Sequence, residues 1–165
     1  MPTPEFVLRL REKIGHDQLW LPGVSVVVVD DAGRVLLGRR SDTGRWSIID
    51  GIPEPGEQPA AAAARECEEE AGVRPEILAV VAVETEEPTV YPNGDRCVFL
   101  DIGFVARVGA ERAAAAGVGD GELTAVAWFE PDALPAPLTP HASARISAAR
   151  AWLADPTTPA RFRLE

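Results

Sequence analysis

Three glutamates carry the strongest chemical signal in the chain. Glu66, Glu69 and Glu70 stand at i, i+3 and i+4 within the run RECEEE. A helix turns once in 3.6 residues, so this spacing puts all three carboxylates on one face. Like charges four residues apart repel, and anions near a helix C-terminus oppose its macrodipole. The arrangement is unfavourable on both counts unless something positive joins it. A hard divalent cation would reverse both terms, and oxygen ligands select Mg²⁺, Mn²⁺ or Ca²⁺ over zinc. The plain alternative is a solvated acidic face. Two neighbours weigh against it. Arg65 precedes Glu69 by four residues, the spacing at which an ion pair fixes a rotamer. Upstream, the loop GIPEPGEQ carries Glu57 to the helix start, and it can fold over that face with backbone carbonyls and one more carboxylate.

The stretch GIPEPGEQPAAAAARECEEEAGV, residues 51–73, resembles the signature box of the Nudix hydrolases. That pattern reads G, five residues, E, seven residues, R-E-U-x-E-E-x-G-U, with U bulky and apolar. Gly51, Glu57, Arg65, Glu66, Glu69, Glu70, Gly72 and Val73 all fall in register. Cys67 is a smaller occupant of its U position. Asp50 is a second departure, because many members read PGG where this chain has Ile49, Asp50 and Gly51. The flanks, residues 10–46 and 121–135, are similar to the usual surroundings of the box.

The resemblance implies an α/β/α sandwich around a mixed sheet that contains antiparallel pairs. It implies metal-dependent hydrolysis of a phosphoanhydride bond in a nucleoside diphosphate linked to a further group. The substrate is then a (deoxy)nucleoside triphosphate, oxidised or not, giving monophosphate and pyrophosphate, or else ADP-ribose. Mg²⁺ is the implied cofactor, with Mn²⁺ able to replace it. Glu66 and Glu70 are the implied primary ligands, and Glu69 is a ligand or an orienting group. Glu57 would act through the metal's water shell, and the backbone at Gly51 would complete the metal set. Arg65 would hold Glu69. The general base is Glu69 or Glu66 in the box, or Glu122 before the last strand, with Asp120 in reserve. A homodimer is common among similar chains, and the N-terminal helix is a candidate for its contact. The competing reading is a non-catalytic nucleotide-sensing domain; such regulators usually carry a fused DNA-binding domain or have lost box glutamates, and here the box is intact.

Phosphate outside the metal cluster calls for positive groups, and Arg39 and Arg40 follow the second strand. One of them is expected at a phosphate and the other at the surface. Tyr91, Phe99 and Trp20 are candidates to stack on a base, with packing as the alternative for each. Trp46 and Trp128 are expected in the core, and His16 and His141 have no ligand-like partners in sequence. The acids of the run ETEE, residues 84–87, read as an exposed strand end, with reach to the site as the alternative.

These groups need a helix, a loop and a sheet to hold them. Pro59 suits a first helical turn, residues 60–64 are all alanine with high helix propensity, and Gly72 is a typical stop. Strands are expected at 24–29 and 34–38 as a hairpin through DDAG, and at 77–83, 97–108 and 123–129. Residues 46–49 form another short apolar stretch, and Asn93-Gly94 marks a tight turn. Residues 109–121 read as a loop with at most one helical turn. Short helices are expected at about 5–15 and about 142–154. Strands mixed with helices and no internal repeat predict one layered α/β domain over residues 1–165.

The 165 residues include 16 Lys+Arg against 26 Asp+Glu, a net charge of −10. Such a chain lacks the basic footprint that grips nucleic acid or an anionic membrane. Segment 51–73 holds six of the acids against Arg65 alone, so the acidity is concentrated where the chemistry is read. The longest apolar run, VSVVVV, is strand-sized and far too short to span a bilayer. The N-terminal residues are too charged for a secretory signal, and a cytoplasmic location is expected. Cys67 and Cys97 show no metal-ligand spacing and read as buried thiols.

Overall fold

The computed structural model describes residues 3–91, 93–119 and 121–164. The elements in chain order are α1 (Glu5–Ile14), β1 (Leu19–Val29), β2 (Val35–Arg40), β3 (Trp46–Ser47), β4 (Ile49–Gly51), α2 (Pro59–Ala71), β5 (Glu76–Thr85), β6 (Thr89–Val90), β7 (Arg96–Arg107), α3 (Ala110–Ala113), β8 (Leu123–Phe129) and α4 (Ala142–Ala154). The described strands form one mixed sheet with the order β3-β2-β1-β7-β5. β4 also pairs with β1, β6 with β7 and β8 with β2. The β1–β7 ladder is parallel from Leu19↔Cys97 to Val29↔Arg107; the β1–β2, β2–β8 and β5–β7 pairs are antiparallel.

β1 lies at the centre with helices over both faces, which explains its unbroken valine run. A strand covered on both sides has no need of alternating polarity. Val24, Val26 and Val28 pack with Leu36, Ile49, Phe104 and the α2 residues Ala62, Ala63 and Cys67. Val27 and Val29 point the other way and pack with Leu37, Val105, Ile146 and Ala149 under α4. This is the expected α/β/α sandwich. A smaller cluster of Val7, Leu21 and Cys97 fixes α1 beside Phe99.

Both ends of the sheet path carry irregular chain. At β3, Trp46 donates its N–H to Pro137 and accepts from the Thr139 N–H, at 2.9 and 2.8 Å. At β5, Val83 donates to Arg161 and Arg161 donates to Val81, both at 2.8 Å. Trp46 packs edge-on against Phe129 with ring centroids 4.9 Å apart, so its expected core role holds.

β1 is longer than the expected strand at 24–29. Pro22 and Gly23 break the sequence pattern, yet the β7 ladder carries the strand back through both to Leu19. Residues 110–113 form the single helical turn expected in the loop before β8.

Candidate functional site

α2 positions the glutamates. Pro59 opens it, and Gly72 closes it with a left-handed φ of 68°. The N–H groups of Gly72 and Val73 return to the carbonyls of Glu68 and Cys67, a glycine-dependent helix stop. The last turn holds no basic residue, so Glu68, Glu69 and Glu70 meet the negative end of the macrodipole uncompensated from within the helix. Glu66 and Glu70 are buried beneath it, and Glu69 is half exposed.

Arg65 organises more than the one partner expected of it. Its Nε and Nη2 donate to the two carboxylate oxygens of Glu57 at 3.0 and 2.9 Å. Its Nη1 donates to Glu66 Oε1 at 2.9 Å and to Glu69 Oε2 at 3.0 Å. The bidentate pair fixes the geometry of Glu57, and the Glu54 N–H donates to the same carboxylate at 3.0 Å. The Arg65 hydrogen bonds hold Glu57 below the usual carboxylate range.

Glu66 is the exception to this neutralisation. Its side chain is 1% exposed, and burial pushes its pKa up to about 7, against the pull of Arg65 and with help from the Glu69 charge. Its Oε2 is buried and accepts no hydrogen bond among the described residues. Gly51 faces it closely. A Cβ at residue 51 would lie 2.3 Å from the Glu66 carboxylate carbon, so a side chain there would force the carboxylate to move. Among the described residues no three carboxylates converge into a ready cation cage; Arg65 stands between Glu57, Glu66 and Glu69. The orphaned oxygen, the glycine cradle and the all-carboxylate donor set fit a hard cation.

The loop before β8 is tied to the end of this helix. Gly117 and Gly119 donate N–H groups to the carbonyls of Ala71 and Glu70 at 3.0 and 2.9 Å. A Cβ on Gly119 would come 1.8 Å from the Glu69 carbonyl oxygen. This link was not anticipated from sequence, although the alternating glycines at 117, 119 and 121 were its signal. The loop delivers Glu122 to the end of β2, where its carbonyl accepts from the Ser41 N–H at 2.8 Å. Asp120 lies outside the described residues.

Arg39 and Arg40 part company. Arg39 is exposed and donates to the Gly44 carbonyl at 3.1 Å. Arg40 turns inward, donating to both Asp42 oxygens at 3.0 and 2.9 Å, with its Nη1 3.5 Å from Asp50. The Asp42 hydrogen bond is the main cause that raises its pKa, and the Glu70 charge adds to it. Tyr91 stands within the influence of Asp50, Arg40 and Asp42, and burial pushes its hydroxyl up to about 12. Phe99 packs into the α1 cluster. Trp20 is exposed.

A second charged cluster lies under α4. Arg145, 2% exposed, donates to Glu84 at 2.6 Å and to Asp101 at 2.9 Å, and lies 3.9 Å from Glu86. Glu84 also meets Arg161 at 2.8 Å. Glu84 is therefore buried and paired, not the exposed strand-end acid its sequence suggested. Burial alone would raise its pKa, but Arg145, Arg161 and Arg163 outweigh burial and hold it low. The sequence marks only the burial of Arg145, which falls inside the stripe Ala142, Ile146 and Ala149, and not its partners.

The chain belongs to the Nudix family: the NUDIX domain model matches residues 19–150. A MutT-like protein of Streptomyces ambofaciens is 38% identical over 117 residues, 66% of this chain and 63% of that protein. An RNA pyrophosphohydrolase of Roseobacter denitrificans is 41% identical over 87 residues, 52% of this chain and 49% of that protein. The chain thus spans about half to just under two thirds of the length of these two relatives. Among solved structures, the Nudix domain of Shewanella oneidensis NrtR complexed with ADP-ribose superposes with a TM-score of 0.65 at 20% identity, covering 93% of this chain and 99% of that one.

Proposed function

We propose that this protein is a divalent-cation-dependent pyrophosphohydrolase acting on a nucleoside diphosphate linked to a further group, with a nucleoside triphosphate as the first-choice substrate and ADP-ribose as the second. The observation that carries the reading is Glu66, a buried carboxylate with one oxygen that accepts no hydrogen bond among the described residues, packed closely against Gly51. Its place in an intact Nudix box supports the assignment, as do the names of the MutT-like and RNA pyrophosphohydrolase relatives.

Glu66 and Glu70 are assigned as the main ligands of Mg²⁺ or Mn²⁺, with Glu69 a ligand or orienting group. Glu57 works through the water shell, and the backbone at Gly51 completes the set. Such a cation neutralises developing phosphate charge and makes bound water more acidic. Arg65 positions the glutamates. Arg40 holds a phosphate outside the metal cluster, and Tyr91 borders the same space. Glu69, Glu66 and Glu122 are the candidates for general base. Residues 1–165 act as one Nudix unit. Among the described residues no helix is long and apolar enough to cross a membrane.

A substrate panel with Mg²⁺ or Mn²⁺ tests this reading. It includes dNTPs, oxidised dGTP, ADP-ribose, nucleotide sugars, dinucleoside polyphosphates and 5′-triphosphorylated RNA. Metal-dependent release of a nucleoside monophosphate is expected. Binding of nucleotide without turnover across the whole panel would select the sensing alternative.

A further inference from the structure

Asp50, the position where this box departs from PGG, sits at a junction of three elements. It pairs with Ser25 across the β4–β1 ladder. Its neighbour Ile49 packs into the α2 side of the sheet, so the Asp50 side chain turns to the α4 side. There Oδ1 lies 3.5 Å from Arg40 Nη1 at the end of β2. Oδ2 accepts a hydrogen bond from Ser47 Oγ of β3 at 3.3 Å and lies 3.5 Å from His141 Nε2 just before α4. Ser47 is itself fixed by a 2.8 Å hydrogen bond with the Thr139 hydroxyl.

The other partner of Arg40 is unlike Asp50. Asp42 sits on the turn between β2 and β3 with its side chain half exposed. A guanidinium held there alone can pivot outward with the turn. Asp50 offers a second anchor from within the sheet, itself braced from β3 and the approach to α4. The donor count leaves room for a ligand. Of five N–H groups, two serve Asp42 and one faces Asp50, which leaves one on Nη1 and one on Nη2. Glu70 of the box helix is near enough to add to the field that keeps Arg40 charged.

We propose that Asp50 is a positioning residue that sets the Arg40 guanidinium for a substrate phosphate; this rests on the pyrophosphohydrolase reading. A glycine at position 50, as in PGG chains, has no side chain for the task. The carboxylate also offsets part of the positive charge of Arg40, so the inference commits to placement outweighing that loss of attraction.

A double-mutant cycle decides it. Binding of inorganic pyrophosphate in the presence of Mg²⁺ is measured by calorimetry on the full chain, for wild type, Asp50→Ala, Arg40→Ala and the double variant. Each single change is expected to weaken binding about tenfold, the scale of one hydrogen bond to a charged group. The double variant should be no weaker than Arg40→Ala alone, because Asp50 acts through Arg40. Additive losses, or tighter binding by Asp50→Ala, overturn the inference while leaving the proposed activity standing. A wild-type protein that binds no pyrophosphate overturns the phosphate site at Arg40, while the substrate panel decides the activity separately. If Asp50→Ala does not fold, the cycle is run with Asp50→Asn, which keeps an acceptor and loses the charge. A smaller but still non-additive loss is then expected, and additivity again overturns the inference.

Discussion

Arg65 and Arg145 lie on opposite faces of the sheet, each beside three carboxylates. Arg65 meets Glu57, Glu66 and Glu69; Arg145 meets Glu84, Glu86 and Asp101. The second cluster is balanced, since Arg161 and Arg163 also approach Glu84 and three guanidiniums face three acids. Around Arg65, one guanidinium serves three acids with Glu70 nearby. One buried glutamate in each cluster shifts in the opposite sense, although Glu57 is held low beside Arg65 and burial raises Glu86 beside Arg145. Glu84 is held below its ordinary range despite burial, whereas burial wins at Glu66 and lifts it to about 7. A matched buried cluster closes on itself and fastens helix to sheet. An unmatched one retains a demand for positive charge, which is the property a cation site needs.

The comparison can be broken at either cluster. The largest effect is expected from Glu66→Gln, which should lower metal-dependent hydrolysis by on the order of 10³-fold, the scale of several kcal/mol of lost metal-borne stabilisation. Circular dichroism should show an intact fold. Unchanged turnover would remove Glu66 from the metal set. Arg145→Met should do the reverse. Stripping the positive partner from buried acids costs about 3–5 kcal/mol, read as a lower urea midpoint, while the folded fraction still turns over substrate. A neutral effect on stability would mean that the α4 cluster is not a fastener.

Mg²⁺ at about a hundred times its Kd should add about 2.7 kcal/mol to stability in the wild type and much less in Glu66→Gln. An equal gain in both would place the ion elsewhere. Arg65→Lys should cost roughly ten- to a hundredfold in turnover, the scale for residues that orient ligands, with little change in melting temperature.

The smallest expected effect is on pH dependence, and the two clusters should differ in sign. Without metal, folded protein holds a proton at Glu66 that the unfolded chain releases above its ordinary 4.5. That contribution to stability should fall as pH rises from about 4.5 to about 7. Glu84 should act oppositely, stabilising above its ordinary 4.5 and losing that contribution as pH falls through its lowered folded value. Urea midpoints against pH in EDTA should show the first trend, and Glu66→Gln should flatten it. A wild-type slope of the opposite sign that Glu66→Gln flattens equally would contradict the assignment.

Much of the proposed cation side was legible in the sequence because it is local. A helix with Pro59 at its start and Gly72 after its end shows which residues share a face, and the spacing of Arg65 and Glu69 announces their pair. β8 was legible to the residue for the same reason, as an apolar run broken only by Thr124 and ending at Phe129. The Arg145 cluster was hidden because its members come from β5, β7 and α4. Only the sheet order brings Glu84, Asp101 and Arg145 together, and no local pattern encodes that order. The same holds for Arg40 and Asp50, ten residues apart yet joined through strands β2 and β4. The loop anchors at Gly117 and Gly119 were missed for a different reason: a glycine-rich stretch looks like freedom, and here it is the absence of side chains that permits close backbone contact.

The short strips of chain beside β3 and β5 bear on how the molecule behaves in company. An uncovered outer strand offers a row of vacant N–H and C=O groups that other chains can extend into aggregates. Here the segment through Pro137 and Thr139 occupies part of one such row, and Arg161 occupies part of the other. The two strips lie before and after α4, so the helix that anchors the Arg145 cluster also holds both guards in place. Loosening α4 would do more than weaken the core: it would free both rows and turn a destabilised protein into a sticky one.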